Sequence, residues 1–368
     1  MKTIWIILAV GLMLVSCKKT ASDAVAVDVE TQVEAGAEEC KIEDLFFGFE
    51  LIPLNTGQEG MFGSIDKLTF YNGRYYIMDK TGKRQVLVFD REGNYERSIG
   101  QAGKGHGEYT NIEDFTIDKE NNRIVILAYP SSVYVYDMDG RFLEQKRIEE
   151  HSMLWDIASC KDGFVCSTNH QTYTEGEHAF LLYFFDKDFK FLAKRIPVLP
   201  KQVQLPPFIS RPLMETGEGK LAYFDTYTAS LYSIDTSDSI AVRRHAYMPD
   251  NLMSAECFAD PNEFASKQMT YAFFLSAMCP DNRLLAFYAS GGEIRGFITD
   301  RENSADKVKS FKFNGWVPPL MDYADGMFYS VISARQAEVC KDLFEEMPDS
   351  LAEQANEMIL RFRLASAD

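Results

Sequence analysis

The residues of this sequence best suited to chemistry are acids, one arginine and two tryptophans near the starts of predicted strands. The acids and Trp155 come into register when the repeats are aligned on Leu68, Phe115 and Ile157, the same count supplies Arg211, and Trp316 falls shortly before a predicted first strand. Carboxylates accept hydrogen bonds and aromatic rings stack on apolar faces, so such a set could hold a sugar or a peptide. The candidate ligand-binding residues are Asp66, Glu113, Asp114, Trp155, Asp156, Arg211 and Trp316.

Motifs of known catalytic centres do not accompany these residues. The sequence has no Gly-x-Ser-x-Gly elbow and no Cys-x-x-Cys pair. The glycine-rich stretch 100–107 is not followed by the Lys-Ser/Thr of a phosphate-binding loop. The spacing of His170 and His178 with Glu175 and Glu177 fits no zinc motif. We therefore predict no catalytic residue, no metal ligand and no cofactor.

Residues 111–148 illustrate the strand unit that would position the candidate side chains. Residues 115–118 alternate between apolar and polar, as in a half-buried strand, and residues 124–127 are apolar on both faces. Residues 133–136 form a third predicted strand, and the charged run 141–148 suits an outer edge strand. Four strands that run from apolar to charged are typical of one β-propeller blade, read from axis to rim.

Tight-turn signals recur along the chain at a mean spacing of about 50 residues, which is in the range of propeller repeats. Each turn has an apolar predicted strand on both sides. The turns are Tyr71-Asn72-Gly73, Glu120-Asn121-Asn122, Lys161-Asp162-Gly163, Gly217-Glu218-Gly219, Pro280-Asp281-Asn282 and Ala324-Asp325-Gly326. Six turns predict an all-β fold, a six-bladed β-propeller of four-stranded antiparallel blades.

Residues 100–109, GQAGKGHGEY, run into Glu113-Asp114-Phe115 and resemble the NHL-like six-bladed β-propeller lipoproteins, a bacterial family without an assigned activity. The resemblance covers roughly residues 45–364, and His106 stands where the family often has proline. It implies that the first strand of each blade lines a central channel, so that the candidate residues ring one mouth. It also implies that the two chain ends share one blade, for which residues 49–52 and 358–364 are the candidates.

Short helical insertions are predicted near the C-terminus. Asp260-Pro261 could start a helix, with Asp as the cap and Pro at the first position. Residues 334–346 have a helical composition, and residues 350–353 read as a capping box.

The N-terminus predicts export and a lipid anchor. Residues 1–16 read as a lipoprotein signal peptide, because Lys2 precedes an apolar run that is too short to span a bilayer. Residues 14–17, LVSC, resemble the bacterial lipobox, which implies lipid attachment at Cys17. We predict a flexible tether over residues 17–44 and the propeller over residues 45–368. Because no acidic run follows Cys17, we expect the periplasmic face of the outer membrane rather than the cell surface.

Charge and cysteine content exclude some functions. The net charge is −17 and the pI is about 4.8, which argues against a nucleic-acid partner. Six cysteines remain after Cys17, with no regular framework. Cys160 and Cys166 could pair across a turn, but we expect the six to be small buried apolar residues.

Three functions from different classes remain open. The leading one is a membrane-anchored, non-catalytic propeller that binds a glycan or a peptide. The second is a lactonase-like hydrolase with a metal held by Asp66, Asp114 and Asp156. The third is a scaffolding subunit of an outer-membrane complex. Fold analogy alone cannot choose among them, and the oligomeric state is open.

Overall fold

The computed structural model describes the chain in ten stretches. They are residues 28–149, 153–171, 179–201, 203–206, 208–209, 211–217, 219–237, 240–301, 306–344 and 357–365. Among these residues, no helix has the length and apolar character needed to cross a bilayer. Cys17 and the signal peptide lie outside them, so the predicted lipid anchor does too.

The described stretches consist mainly of strands. In chain order the elements are β1 (Asp28–Cys40), α1 (Ile42–Leu45), β2 (Phe46–Ile52), β3 (Lys67–Tyr71), β4 (Arg74–Asp79), β5 (Gln85–Phe89), β6 (Tyr95–Ile99), β7 (Ile112–Asp118), β8 (Arg123–Ala128), β9 (Ser132–Asp137), β10 (Phe142–Arg147), β11 (Asp156–Cys160), β12 (Gly163–Ser167), β13 (Phe180–Asp186), β14 (Phe191–Pro197), β15 (Leu213–Glu215), β16 (Leu221–Asp225), β17 (Ser230–Asp235), β18 (Ala241–Pro249), a 3₁₀ helix (Ala255–Ala259), α2 (Pro261–Lys267), β19 (Phe273–Met278), β20 (Arg283–Ser290), β21 (Glu293–Asp300), β22 (Lys307–Phe313), β23 (Asp322–Ala324), β24 (Met327–Ile332), α3 (Ala334–Val339), a 3₁₀ helix (Lys341–Leu343) and β25 (Met358–Leu364).

The strands pair into antiparallel runs of four. Three sheets are consecutive in the chain, namely β3–β6, β7–β10 and β11–β14. A fourth sheet combines β2 with β23, β24 and β25. A nine-stranded sheet contains two more antiparallel runs, β15–β18 and β19–β22, with β1 between them. The all-β prediction is confirmed, and these repeated sheets have the arrangement of a β-propeller.

The sheet β7–β10 shows why the sequence pattern gives this fold. Strands β8 and β9 are buried along nearly their whole length, whereas residues of β10 alternate between half-buried and exposed. The charged outer strand predicted for this unit is therefore confirmed. Asn72 and Asn122 have positive φ values of 49° and 50° in the first hairpin turns of their sheets. Asparagine tolerates that conformation, as the turn signals predicted.

The tether predicted over residues 17–44 was wrong for residues 28–44, which form β1 and α1. β1 runs parallel to both β18 and β22 and joins their outer edges. Thr31 and Val33 are buried there, and Lys307 forms an ion pair with Glu34 at 2.6 Å. The physical reason is that the two edges carry unpaired backbone groups, which one inserted strand satisfies on both sides.

Closure of the two chain ends in one sheet is confirmed. β2 pairs antiparallel with β25, and β25 pairs with β24. Phe46 contacts the ring of Phe362 at 4.7 Å between centroids, and Phe328 stacks on Phe362 at 5.6 Å. The aromatic packing and the strand pairing together fix the last strand in place.

The helical insertions are partly as predicted. α2 starts at Pro261, and the side chain of Asp260 accepts a hydrogen bond from the backbone N–H of Asn262, which confirms that cap. α3 ends at Val339, earlier than the predicted 334–346. The predicted capping box at residues 350–353 lies outside the described residues.

The described cysteines are all free thiols. Cys160 and Cys166 are not bridged. Four of the six are buried as predicted, whereas Cys160 and Cys340 are half-buried. Burial raises the pKa of the Cys166 thiol well above its ordinary value.

Candidate functional site

The first strands of the antiparallel runs are β3, β7, β11, β15, β19 and β23, and residues of β3, β15, β19 and β23 line one central cavity, which we call the channel. Strand β7 contacts β11, β11 contacts β15, and β23 contacts β3. Met278 of β19 lines the same small cavity as Met214 of β15. We call the end where these strands begin the upper end, and the end where they turn into the second strands the lower end.

Asp114 joins three sheets at the upper end. Lys67 Nζ donates to Asp114 Oδ1 at 2.7 Å and to the carbonyl oxygen of Phe115 at 2.7 Å. The other carboxylate oxygen, Oδ2, accepts the backbone N–H of Ile157 at 2.8 Å. A first strand has one unpaired edge, so its buried N–H groups need acceptors from the neighbouring sheet. Asp114 and Lys67 therefore connect the three neighbouring sheets by hydrogen bonds.

Arg211 and Asp322 form a second buried tie across the channel. Arg211 Nη1 pairs with Asp322 Oδ1, and the two side chains are 11% and 7% exposed. Asp322 Oδ2 accepts the backbone N–H of Phe70 at 2.8 Å. Among the described residues, Arg211 Nε has no hydrogen-bond partner. The guanidinium group is thus held by the Asp322 carboxylate, while its Nε–H makes no hydrogen bond to the described residues.

Asp156 stands close to these charges but has a different environment. Its Oδ2 accepts a hydrogen bond from Ser167 Oγ at 2.6 Å. Burial raises the pKa of Asp156 to about 6, and the nearby negative charge of Asp114 adds to that shift. Burial also lowers the pKa of Lys67, while Asp114 acts in the opposite direction.

Asp66, Glu113 and Trp155 meet around Lys80. The Lys80 backbone N–H donates to Asp66 Oδ2 at 2.7 Å, and Lys80 Nζ lies 2.7 Å from Glu113 Oε2. The same Nζ lies 5.3 Å from the centroid of the Trp155 ring, a cation–π contact. Trp155 Nε1 is buried and has no hydrogen-bond partner among the described residues. The structure therefore brings these three predicted residues together through a lysine that the sequence did not single out.

Trp316 does not take part in these contacts. It is half-buried and packs against the hydrophobic cluster that contains Phe328 and Phe362. The binding role of the seven candidate residues stays a prediction, and the structure gives Asp114 and Arg211 a packing role as well.

The carboxylates suggested for a metal are engaged elsewhere. Asp66 binds backbone and hydroxyl groups, Asp114 binds Lys67, and Asp156 binds Ser167. Within the described stretches, no three His, Cys, Asp or Glu side chains are placed to hold a metal ion. His178, Glu175 and Glu177 lie outside those stretches.

His170 is a buried packing residue. Its Nε2 lies 3.0 Å from Asp225 Oδ2, and its Nδ1 accepts the backbone N–H of Leu199 at 3.1 Å. Because Nδ1 is an acceptor, the ring proton sits on Nε2 and is donated to Asp225. The pair links the third and fourth runs of strands.

An open cavity occupies the lower end of the channel. Its volume is about 520 Å³, within the range of ligand sites. Its walls come from five of the six first hairpins, and the lining includes Tyr71, Lys119, Glu215, Thr216, Asp281, Tyr323 and Asp325. A smaller cavity of about 20 Å³ lies deeper and reaches Arg211 and Asp322.

The polar groups of the lower cavity are placed on hairpins and strand ends. Lys119 pairs with Glu215, and its Nζ lies 5.6 Å from the centroid of the Tyr71 ring. Tyr323 donates from its hydroxyl group to Asp281 Oδ2 at 3.0 Å. Thr216 is only 9% exposed, and its Oγ1 has no hydrogen-bond partner among the described residues.

Sequence reasoning missed this second site although its turns were identified. Tyr71, Asp281 and Asp325 lie within predicted turn signals, and Thr216 directly precedes one. The available signal was the count itself. Equivalent turns that follow the channel strands must lie together at one end of the channel, and five of the six turns line the lower cavity there.

Comparisons with known proteins identify a family and a fold. A family model described as "Domain of unknown function (DUF4934)" matches residues 24–359. No curated protein matches the sequence. The chain is similar to the crystal structure of a "Putative exported protein" from Bacteroides fragilis NCTC 9343, with a TM-score of 0.69, 15% identity and coverage of 92% of this chain and 100% of that chain. At this identity, the likeness shows the fold alone.

Two further solved structures are more distant. Virginiamycin B lyase from Staphylococcus aureus has a TM-score of 0.44 and 10% identity, with coverage of 77% of this chain and 82% of that chain. PorZ, a surface component of the type-IX secretion system of Porphyromonas gingivalis, has a TM-score of 0.39 and 11% identity, with coverage of 73% of this chain and 29% of that chain. Similarity at this level says nothing about the activity of the present chain.

Proposed function

The chain belongs to the DUF4934 family, and we propose that it is an exported, lipid-anchored β-propeller that binds the end of a glycan or a peptide without catalysis. The observation that carries this proposal is the lower cavity, an open concave site of about 520 Å³. It combines two tyrosine rings with acidic, hydroxyl and amine groups on five hairpins. A mouth held by several sheets is preorganised, which lowers the entropic cost of binding.

Six blades are part of the proposal. Four separate sheets and the two halves of the nine-stranded sheet supply six runs of four antiparallel strands. In this assignment β1 is an additional strand that ties the outer edges of the fourth and fifth blades. The NHL-like family resemblance supports the same count.

The anchor would hold the protein in the bacterial cell envelope, at the periplasmic face of the outer membrane. The lipobox and the short apolar run before Cys17 support this placement. Replacing Cys17 with Ala should move the protein into the soluble fraction. Retention of Cys17→Ala in washed membranes would contradict the lipid anchor.

The upper end is a second candidate place for the ligand. The observation that favours it is the buried Trp155 Nε1, which has no partner among the described residues. A ligand acceptor could take a hydrogen bond from this N–H at the edge of the indole ring, whose face is in contact with Lys80 Nζ. The hydrolase alternative gains less support, because Asp66, Asp114 and Asp156 already bind other protein groups.

The proposal is tested by screening the mature chain against glycan and peptide arrays and then measuring affinity for variants of the lower cavity. Tyr323→Ala should weaken binding of the best hit by about 1–3 kcal/mol, the usual size of an aromatic hot spot. Tyr129→Ala is the matched control, since Tyr129 is 47% exposed and lies outside the cavity lining. A hit that binds both variants as tightly as the wild type would contradict the lower cavity as its site.

A further inference from the structure

We infer that the lower cavity recognises a cationic group, the ammonium or guanidinium of a Lys or Arg side chain in a peptide. This ligand assignment rests on the proposed binding function of the cavity and narrows its ligand. Charged and aromatic groups line the cavity, and one of the chain's own lysines already occupies part of it.

Lys119 shows how the cavity holds a cation. Its ammonium group lies over the Tyr71 ring and is paired with Glu215. Ring face and carboxylate are the two groups that stabilise an ammonium ion at a surface. The Lys119 and Glu215 side chains are 47% and 31% exposed, so this pair contributes little to stability and can open. An incoming amine can therefore replace Lys119 without unfolding any strand.

A second aromatic and carboxylate pair lies on two other hairpins of the cavity. The Tyr323 hydroxyl group binds Asp281, and Asp325 follows in the next turn of the chain. The Asp281 side chain is 67% exposed, and its contact with Arg283 is long, at 3.8 Å. Like Tyr71 with Glu215, this pair combines an aromatic ring with a carboxylate, but its own cation, Arg283, is held less closely than Lys119 is held by Glu215.

The charges of the lining leave an excess of carboxylate. Among the described residues that line the cavity, Glu215, Asp281 and Asp325 are acids and Lys119 is the one cation. Deeper in the channel, Arg211 is already paired with Asp322. A cationic ligand would neutralise the excess, whereas a neutral sugar would leave it unchanged. This balance favours a basic peptide over a glycan.

Thr216 supplies the independent sign that the cavity is built for a ligand. Its hydroxyl oxygen is buried beside Glu215 and lacks a partner among the described residues. A buried polar atom without a partner costs free energy, so a ligand group that bonds this hydroxyl group recovers that cost. The hydroxyl oxygen can accept a hydrogen bond from an ammonium or guanidinium group that reaches the floor of the cavity.

The test uses the mature full-length chain and three small probes, acetyl-Gly-Lys-Gly-amide, its Arg analogue and its Nε-acetyllysine analogue, in ligand-observed NMR titrations. We expect the Lys and Arg probes to bind and the acetylated probe to bind at least about tenfold more weakly, because it lacks the charge. The double variant Asp281→Asn with Asp325→Asn should lose a similar factor. Asp139→Asn is the matched control, since Asp139 is an exposed acid in the outer turn between β9 and β10.

The variants should fold normally. Asp281 and Asp325 have φ values of 53° and 52°, and Asn tolerates that conformation as well as Asp does. Lys119→Met keeps the apolar stem and removes the competing cation, so it should tighten binding of the Lys probe by a few-fold, roughly the worth of a surface ion pair.

Three results would overturn the inference: equal binding of the acetylated probe, unchanged binding by the double variant, or no binding of either cationic probe. If a neutral oligosaccharide from the array then binds the wild type and fails to bind Tyr323→Ala, the proposed binding function stands and only the cationic ligand is wrong. If oligosaccharides and peptides both bind Tyr323→Ala as they bind the wild type, the lower cavity fails as the binding site too.

Discussion

The two ends of the channel use charge in opposite ways. At the upper end, Lys67 and Asp114 are nearly buried and bind each other across a sheet boundary, and Arg211 with Asp322 does the same deeper in the channel. At the lower end, Lys119 and Glu215 form an exposed pair beside an open cavity. The same strands thus begin in a closed charge network and end in a concave surface.

The difference follows from what each end has to satisfy. The buried carboxylates of Asp114 and Asp322 accept the backbone N–H groups of Ile157 and Phe70, which belong to strand edges without a neighbour in their own sheet. The lower end consists of hairpin turns, whose backbone groups are satisfied within the turn or by water. Side chains therefore hold the fold together at the upper end and are available for binding at the lower end.

The largest expected effect is the loss of Asp114. Asp114→Ala would leave the Lys67 ammonium buried without its carboxylate and the Ile157 N–H without an acceptor. Breaking such a buried pair typically costs about 3–5 kcal/mol of unfolding free energy. Urea unfolding monitored by tryptophan fluorescence would measure it.

The paired control is the double change Lys67→Met with Asp114→Leu, which removes both charges at similar volume. It should cost clearly less than Asp114→Ala alone, because no uncompensated charge remains. An Asp114→Ala protein as stable as the wild type would remove the distinction between the two ends.

A smaller effect is expected from Asp156 and depends on pH. Its pKa in the folded chain is raised to about 6, above the ordinary value near 3.8. The folded state then holds a proton that the unfolded state has lost, so stability falls as pH rises from about 4 to 6. Asp156→Asn removes this penalty and should stabilise the protein at pH 7 by on the order of 2 kcal/mol, with a gain that vanishes near pH 4.

Thermal unfolding of Asp156→Asn and wild type at several pH values checks this prediction. Asp139→Asn, the same substitution at an exposed acid of an outer turn, is measured alongside as the control. A constant difference across pH 4 to 7 would mean that Asp156 does not titrate in this window.

The smallest effect on stability is expected at the lower end. Asp325→Asn changes an exposed turn residue whose backbone conformation Asn also accepts. The free energy of unfolding should stay within about 0.5 kcal/mol of the wild type, as for most surface substitutions. A loss comparable to that of Asp114→Ala would show that side chains at the lower end stabilise the fold as much as those at the upper end.

Much of the fold could be predicted from the sequence. The strand over residues 115–118 and the turn at Asn122 have local signals, and the structure confirms both, although Thr116 and Asp118 are buried and the strand is not half-buried as predicted. The pairing of residues 49–52 with 358–364 was implied by the family resemblance and is confirmed. β1 could not be placed, because its partners β18 and β22 are more than 200 residues away and its parallel pairing has no turn to announce it. Its alternating Val29, Thr31 and Val33 were the one available sign.

The site was less predictable than the fold. Sequence alignment of the repeats correctly grouped Glu113 with Trp155, but it could not reveal that Lys80 joins them. Nor could it reveal that both carboxylate oxygens of Asp114 accept hydrogen bonds from Lys67 and Ile157, because burial and partner choice depend on how neighbouring sheets face each other. Acids at strand starts therefore looked available when the folded chain already uses them.

The most direct test of ligand binding at the lower cavity is the affinity, per folded molecule, of Tyr323→Ala and Trp155→Ala for the best hit from the glycan and peptide arrays. Tyr323→Ala should weaken binding by about tenfold or more, the size of an aromatic hot spot. Trp155→Ala should lower the melting temperature, because it leaves a cavity beside Lys80, while its affinity stays that of the wild type. The reverse result, with affinity lost in Trp155→Ala and kept in Tyr323→Ala, would place the ligand at the upper end and rule out the lower cavity as the binding site.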